Sequence, residues 1–410
     1  MTKHILTKHI LLALAMAAMV PAGQAWAADP EYTISNDNRE LKIRTDSTVG
    51  PDSTFGNRKL NDFDKVTICY WPTGDDGGHR AMGIYSAKYD LESTDVVVNV
   101  KNNGHNNNDG VHLTNWAPHF VVKSYRANIN SQNSDALNIS HDAKGTENGE
   151  QPYATIGDLT AIVSNGNGIR ANSSINNSKD TSTITVTGKT DITINSNPIT
   201  VYKQEHKEFN SGIISVEVDA NASTTYNPAA VYAGDDMYSL QIGSYGMGGQ
   251  SVGKGIINLQ GDTTLRLNGE GNYGVYAGKN GSIDVNNISI TSEGKNSYGI
   301  AAKNSNLIYG NGIELTDITA TTYLFGRPVT TPLPNMSLDN ADDSANRHGS
   351  TVTLNGDTNV ITMTGNNSYA LYAEGVDAWG NSNTIQSGED GIGSFVITGD
   401  IAAENGGKLH

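Results

Sequence analysis

Apolar and polar residues alternate along most of this chain with a period of two. Thr183-Ile184-Thr185-Val186-Thr187 and Asp191-Ile192-Thr193-Ile194-Asn195 place an aliphatic side chain at every second position between Thr, Asp and Asn. This alternation predicts short strands with one buried and one exposed face. Between them stand Gly-Asp, Asn-Gly and Gly-Lys pairs, which are turn formers. One segment breaks the pattern: the unbroken apolar run Ile10 to Val20, preceded by Lys3 and Lys8 and followed by Ala25-Trp26-Ala27. A basic start, a short apolar stretch and small residues at a cleavage site predict a secretory signal peptide over residues 1–27, cut before Ala28.

The alternating segments repeat as larger units. Residues 256–268 with the ending Asn272-Tyr273-Gly274-Val275-Tyr276-Ala277 match residues 351–363 with the ending Ser368-Tyr369-Ala370-Leu371-Tyr372-Ala373, including a Gly-Asp-Thr turn in each. The closing pair, a small residue then an aliphatic one, recurs at Gly83-Ile84, Gly110-Val111, Ala136-Leu137, Gly168-Ile169, Ala230-Val231, Gly274-Val275, Gly299-Ile300 and Ala370-Leu371. Where no insertion intervenes the spacing is about 25 to 32 residues, the signature of stacked units that bury their apolar faces against one another. Strands this short could form a sandwich. A unit of three strands and three turns fits better as one rung of a parallel β-helix (solenoid) with irregular rungs near 25 residues. About a dozen rungs at ~4.8 Å each give a rod of roughly 60 Å. Insertions are expected at Trp71 to His79, Asn138 to Gln151 and Thr321 to His348. Residues 28–80 read as an irregular start and 81–410 as the repetitive body. Asn and Thr at repeated turn positions are expected to stack as hydrogen-bonded ladders.

Composition narrows the class further. The chain has 410 residues, 45 glycines and about as many asparagines, 7% aromatic residues and a formal charge of −16. Gly and Asn disfavour long helices, and the acidic balance argues against nucleic-acid binding. Cleavage of residues 1–27 removes two lysines and no acid, leaving the exported part more acidic still. The single cysteine, Cys69, excludes an internal disulfide, and its place in Val66-Thr67-Ile68-Cys69-Tyr70-Trp71 predicts a buried, inert thiol.

The Asn-Tyr-Gly-Val-Tyr-Ala, Ser-Tyr-Gly-Ile-Ala-Ala and Asn-Ser-Tyr-Ala-Leu-Tyr-Ala endings, among Asn/Gly/Thr-rich strands behind a signal peptide, resemble the passenger regions of bacterial autotransporters over roughly residues 80–410. The resemblance implies a right-handed β-helical passenger at the surface of, or released from, a bacterium with an outer membrane. It also implies a β-barrel translocator as partner. The repeat pattern runs to His410 without a cap or a barrel, so further rungs, a cap and a barrel are expected downstream or from a separate partner.

Candidate chemistry is sparse. Neither a Gly-Asp-Ser-Gly nor a Gly-x-Ser-x-Gly nucleophile motif occurs, and no catalytic residue, cofactor or metal site is expected. His79, His105, His112, His119 and His141 match no ligand spacing and read as solvated loop residues. Asp75-Asp76, Asp235-Asp236 and Asp342-Asp343 read as turn residues. The candidate binding residues are Tyr85, Tyr232, Tyr276 and Tyr372. Each follows the aliphatic of the closing pair, so an inward aliphatic turns the tyrosine outward, and the same position holds His112, Asn138, Arg170 and Ala301 in other units. An external tyrosine stripe would suit a host-surface or glycan ligand, and a self-packing ladder is the other reading of the same stripe. The expected function is an adhesin or structural surface protein. The alternative is a carbohydrate-active enzyme, a polysaccharide lyase or hydrolase, with carboxylates and a basic residue on one sheet face.

Overall fold

The computed structural model describes residues 31–50, 52–71, 80–101, 108–131, 134–140, 142–172, 180–195, 199–210, 214–234, 239–242, 245–246, 253–303, 313–324, 327–329, 336–339, 349–375, 381–388 and 394–410. For 199–226, 239–246 and 313–339 it gives mainly the backbone path. The segment expected as a signal peptide, His79, His105, His141 and the three Asp-Asp pairs lie outside the described residues, as does most of the insertion expected at Trp71 to His79.

The chain is all-β. Its described residues hold strands and a single short 3-10 turn, Leu60–Asp62, and no α-helix. The strands pair in three long parallel ladders, which the chain visits in a fixed order. Lys254–Leu259, Thr263–Asn268 and Tyr273–Ala277 belong to the first, second and third ladders. The next three strands, Gly281–Val285, Ile288–Ser292 and Tyr298–Lys303, pair in parallel on those three in turn. Three longer strands, Lys88–Val100, His119–Asn130 and Tyr153–Ser164, run through the first and second ladders without a break in the chain. The third ladder holds nine strands, from Arg80–Tyr85 to Asp400–Glu404. The second begins with Glu40–Thr45 and Lys65–Tyr70, inside the stretch expected as an irregular start. Glu31–Ile34 lies antiparallel on Glu40–Thr45.

Alternation supplies the interior. In the second ladder Ile43, Ile68, Val98, Ala127, Ala161, Ile192, Leu265, Ile290 and Ile361 lie in one register column, all buried. In the third, Met82, Val111, Leu137, Ile169, Val231, Val275 and Ile300 do the same. Both columns belong to one continuous apolar cluster with the first ladder, and each buried aliphatic is worth about 1.5–3 kcal/mol.

The small member of the closing pair answers to backbone approach. A Cβ on Gly168 would fall 2.3 Å from the Ala230 carbonyl oxygen on the next circuit, and one on Gly274 2.5 Å from that of Gly299. The corner into the third ladder uses a left-handed residue, Asn165, Asn296 or Asn367, each with φ between 53° and 58°, a conformation that asparagine tolerates. The expected side-chain ladders also occur: Asn268 Nδ2 donates to Asn195 Oδ1 (2.8 Å), and Asn287 Nδ2 to Asp262 Oδ1 (3.0 Å).

Two expectations need correction. The insertions are not confined to the three expected places: paired residues are 25 apart between Asp262 and Asn287 but 73 apart between Asn195 and Asn268. The excess is a pair of lateral antiparallel sheets. The hairpin Ile199–Asn210 with Ile214–Tyr226 enters before Ala229, and Ile214–Tyr226 pairs with Ile313–Leu324, which leaves after Lys303. Ser239–Ile242 likewise pairs with Met336–Asp339. The hairpin's own alternation, as in Ile214, Val216 and Val218, is indistinguishable from that of a ladder strand. For the same reason Thr321, expected to open an insertion, lies inside Ile313–Leu324, and Asn138 lies in the ladder strand Leu137–Ile139. Cys69 is half-buried, on the face opposite Ile68 and Tyr70, because strict alternation turns it outward.

Val275→Asp is expected to cost about 3–5 kcal/mol, since it buries an unpaired charge between Val231 and Ile300. Ile162→Thr, at an exposed position of the second ladder, should stay within about 0.5 kcal/mol. Thermal melts of the two variants check the assignment of faces.

Candidate functional site

The outer face of the third ladder carries two columns of side chains. One follows the aliphatic of the closing pair: His112, Asn138, Arg170, Tyr232, Tyr276, Ala301, Tyr372 and Ala402 stand in continuous register. The other precedes the small residue: Asp109, Asp135, Asn167, Ala229, Tyr273, Tyr298 and Tyr369. Both columns are polar over the circuits from Asp109 to Arg170, and tyrosine dominates them from Tyr232 to Tyr372, with Ala301 between.

In the polar half each Asx side chain accepts from the backbone N–H at the same position one circuit on. Asp109 Oδ1 accepts from Asp135 N (2.8 Å), Asp135 Oδ1 from Asn167 N (3.1 Å) and Asn167 Oδ1 from Ala229 N (2.8 Å). Sideways, His112 Nδ1 lies 2.6 Å from Asp109 Oδ2, Asn138 Nδ2 donates to that oxygen, Asn172 Nδ2 to Asn138 Oδ1, and Arg170 Nε to Asn172 Oδ1. The two buried carboxylates diverge. Burial pushes Asp135 up to about 6, helped by Asp109 and opposed by Arg170 and Asn167. Burial would raise Asp109 too, but His112, the Asp135 N–H and Asn138 hold it below the ordinary carboxylate range.

In the aromatic half the rings touch across circuits. Tyr273, Tyr298 and Tyr369 stack with centroids 4.8 and 5.5 Å apart and planes 10° apart, while Tyr232 and Tyr276 approach to 5.2 Å. Lys303 Nζ lies 5.6 Å from the rings of both Tyr273 and Tyr298. Attraction to Tyr273 keeps its ammonium above the usual lysine range, over the lowering effect of burial. Burial, then Glu374 and Glu404, raises the Tyr372 phenol.

Of the four tyrosines expected on an external stripe, Tyr232, Tyr276 and Tyr372 do align and face away from the core. They are nevertheless only 1%, 1% and 8% exposed. Neighbouring rings give the reason: Tyr232 lies 5.2 Å and Tyr273 5.0 Å from Tyr276, and Tyr298 and Tyr369 lie 5.2 and 5.0 Å from Tyr372, so the tyrosines bury one another. Tyr85 is 44% exposed but stands outside the column. Its strand pairs Gly83 with His112 and Tyr85 with Thr114, so the closing pair there is Ala81-Met82, and Gly83-Ile84 is one step out of frame. The missed column, one residue before each anchor, was readable from Asp109-Gly110, Asp135-Ala136, Tyr273-Gly274, Tyr298-Gly299 and Tyr369-Ala370.

Histidine placement also departs from expectation. His112 and His119 lie in strands, His112 against Asp109 and His119 stacked on Tyr153 at 4.0 Å, and neither is a solvated loop residue. Among the described residues no three His, Cys, Asp or Glu side chains converge as metal ligands. Comparison with protein-family models, with curated proteins and with solved structures finds no match.

Two outcomes follow. Because the Asp135 carboxyl is raised in the folded state, the wild type is expected to lose stability as pH climbs from about 4 through 6. Asp135→Asn keeps the acceptor for Asn167 N and removes the charge, so its melting advantage over wild type should grow by roughly 1–3 kcal/mol between pH 4 and pH 8. Tyr276→Ala should cost about 3–5 kcal/mol, whereas Tyr85→Ala should leave the melting temperature within about 2 °C.

Proposed function

We propose that this chain is an exported surface protein, an autotransporter-type passenger that serves as an adhesin or structural element of the cell exterior. In this reading the three ladders wind as a right-handed parallel β-helix, the hand that parallel crossovers take almost without exception. Residues 1–27 direct export, and a β-barrel translocator, in the same or another chain, carries the rod across the outer membrane. The observation that carries the reading is the uninterrupted stacking of parallel strands from Glu40–Thr45 to Ser394–Thr398. Such a rod stands without disulfides and offers a long surface for contact with a host surface or glycan, while its core is mostly aliphatic.

A second reading, a carbohydrate-active enzyme, draws on the gathering of Asp109, Asp135, His112 and Arg170 on one parallel face. The Asx staircase counts against it, because Asp109 and Asp135 are each engaged in pinning the next circuit.

Export is tested by expressing the chain with and without residues 1–27 in a host with an outer membrane and probing intact cells with antibody and external protease. The full chain should leave the cytoplasm and bind matrix-coated or host-cell surfaces, and the truncated one should stay inside. Retention of the full chain in the cytoplasm would defeat the reading. Depolymerisation of polysaccharide by the purified chain, lost in Asp109→Asn, would replace it with the enzymatic one.

A further inference from the structure

The third ladder turns back toward the first at a corner where two aromatic rings stand open on successive circuits. Tyr85 ends the strand Arg80–Tyr85 and is 44% exposed, and Trp116, just past Asp109–Thr114, is 49% exposed. Register pairs Tyr85 with Thr114, and Trp116 N donates to Ser86 Oγ at 3.1 Å, so the segments that carry the two rings are tied together. Each has a cation against it: the Arg80 guanidinium carbon is 4.9 Å from the Tyr85 centroid and Lys144 Nζ 4.1 Å from that of Trp116. Neither cation forms an ion pair among the described residues.

The backbone is committed to this display. Asn115 and Ala117, on either side of Trp116, have φ of 68° and 38°. Lys144 fixes both from the next circuit, its N–H donating to Asn115 O and its carbonyl accepting from Ala117 N, each at 2.8 Å. A left-handed alanine costs on the order of 1–3 kcal/mol, and here the result is an indole held in solvent and not packed in the core.

We propose that this corner binds an acidic oligosaccharide. An exposed aromatic face accepts the C–H face of a pyranose ring. Arg80 and Lys144 are pure donors, so they suit a carboxylate or sulfate carried on the sugar and offer nothing to a cationic ligand. On a chain of charge −16, two cations with no ion pair among the described residues suit an anion at this corner, yet they are too few to hold a nucleic-acid backbone. The inference rests on reading the chain as a surface-binding protein and names the ligand class of that binding.

Titration of the full chain with tetragalacturonate, followed by calorimetry and tryptophan fluorescence, tests it, with cellotetraose as the neutral control. Saturable binding is expected for the acidic sugar alone. Trp116→Ala should weaken it roughly tenfold, Tyr85→Ala and Lys144→Met each several-fold, and Trp116→Phe less than Trp116→Ala. Salt should weaken wild-type binding more than that of Lys144→Met. Tyr32→Ala, at another exposed ring, should change nothing, and circular dichroism melts control for folding. Absence of saturable binding, equal binding of cellotetraose, or unchanged affinity in a folded Trp116→Ala, Tyr85→Ala double variant would overturn the proposal. Cell adhesion by the wild-type chain separates the two readings. Adhesion without sugar binding removes the corner and leaves the surface function, whereas sugar binding by a chain that never leaves the cytoplasm removes the surface function and leaves the corner.

Discussion

Everything in this molecule depends on backbone pairing between one circuit and the next. Two parallel strands about 4.8 Å apart leave no room for a side chain where one backbone passes over the neighbour's carbonyl, as at Gly168 over Ala230. That close approach dictates a small residue, the pleat then dictates an inward aliphatic, and the next position must face out. The pairing also explains the tolerance for insertions. Loop closure grows only with the logarithm of length, so stretching a circuit from 25 to 73 residues adds about 1 kcal/mol, small against the burial gained when Leu265 lands in register on Ile192.

The outer face of the third ladder shows one backbone position solving two problems. Between Asp109 and Asn167 the residue before the anchor is a short acceptor that satisfies the next circuit's N–H. From Tyr273 to Tyr369 the same position carries a flat ring that stacks on its successor. The switch coincides with the first lateral hairpin, which enters between Asn167 and Tyr273.

The ladder was legible because its constraints are local. Small-aliphatic pairs, period-two alternation and left-handed Asn at corners all leave marks within a few residues. Burial was not legible. Alternation tells which face Tyr232 and Tyr276 occupy, but not that a second tyrosine column, Tyr273, Tyr298 and Tyr369, shares that face and packs against the first. Frame was the other failure. Gly83-Ile84 mimics the anchor one step late, and only the pairing of Met82 with Val111 shows that Tyr85 belongs to the corner and not to the column. Asp109 and Asp135 escaped notice because Asx before Gly or Ala looks like ordinary turn chemistry until the next circuit's N–H is seen on its oxygen.

Aromatic residues on such a rod therefore divide by what lies on their second face, and the division separates architecture from recognition. Tyr273, Tyr298 and Tyr369 have a ring from the next circuit there. Trp71 is engaged from both neighbouring circuits, by Arg44 at 3.9 Å and Lys101 at 4.2 Å, and works as a clip along the ladder. Tyr85 and Trp116 each have one cation and then solvent. A ring clamped by the ladder gives up its contact area to stability and has none left for a ligand, whereas a ring oriented by one cation has already lost its rotamer freedom and keeps a face for use. A search for binding residues in this fold should accordingly follow the corners, where the chain leaves register, rather than the columns, where repetition makes side chains one another's ligands.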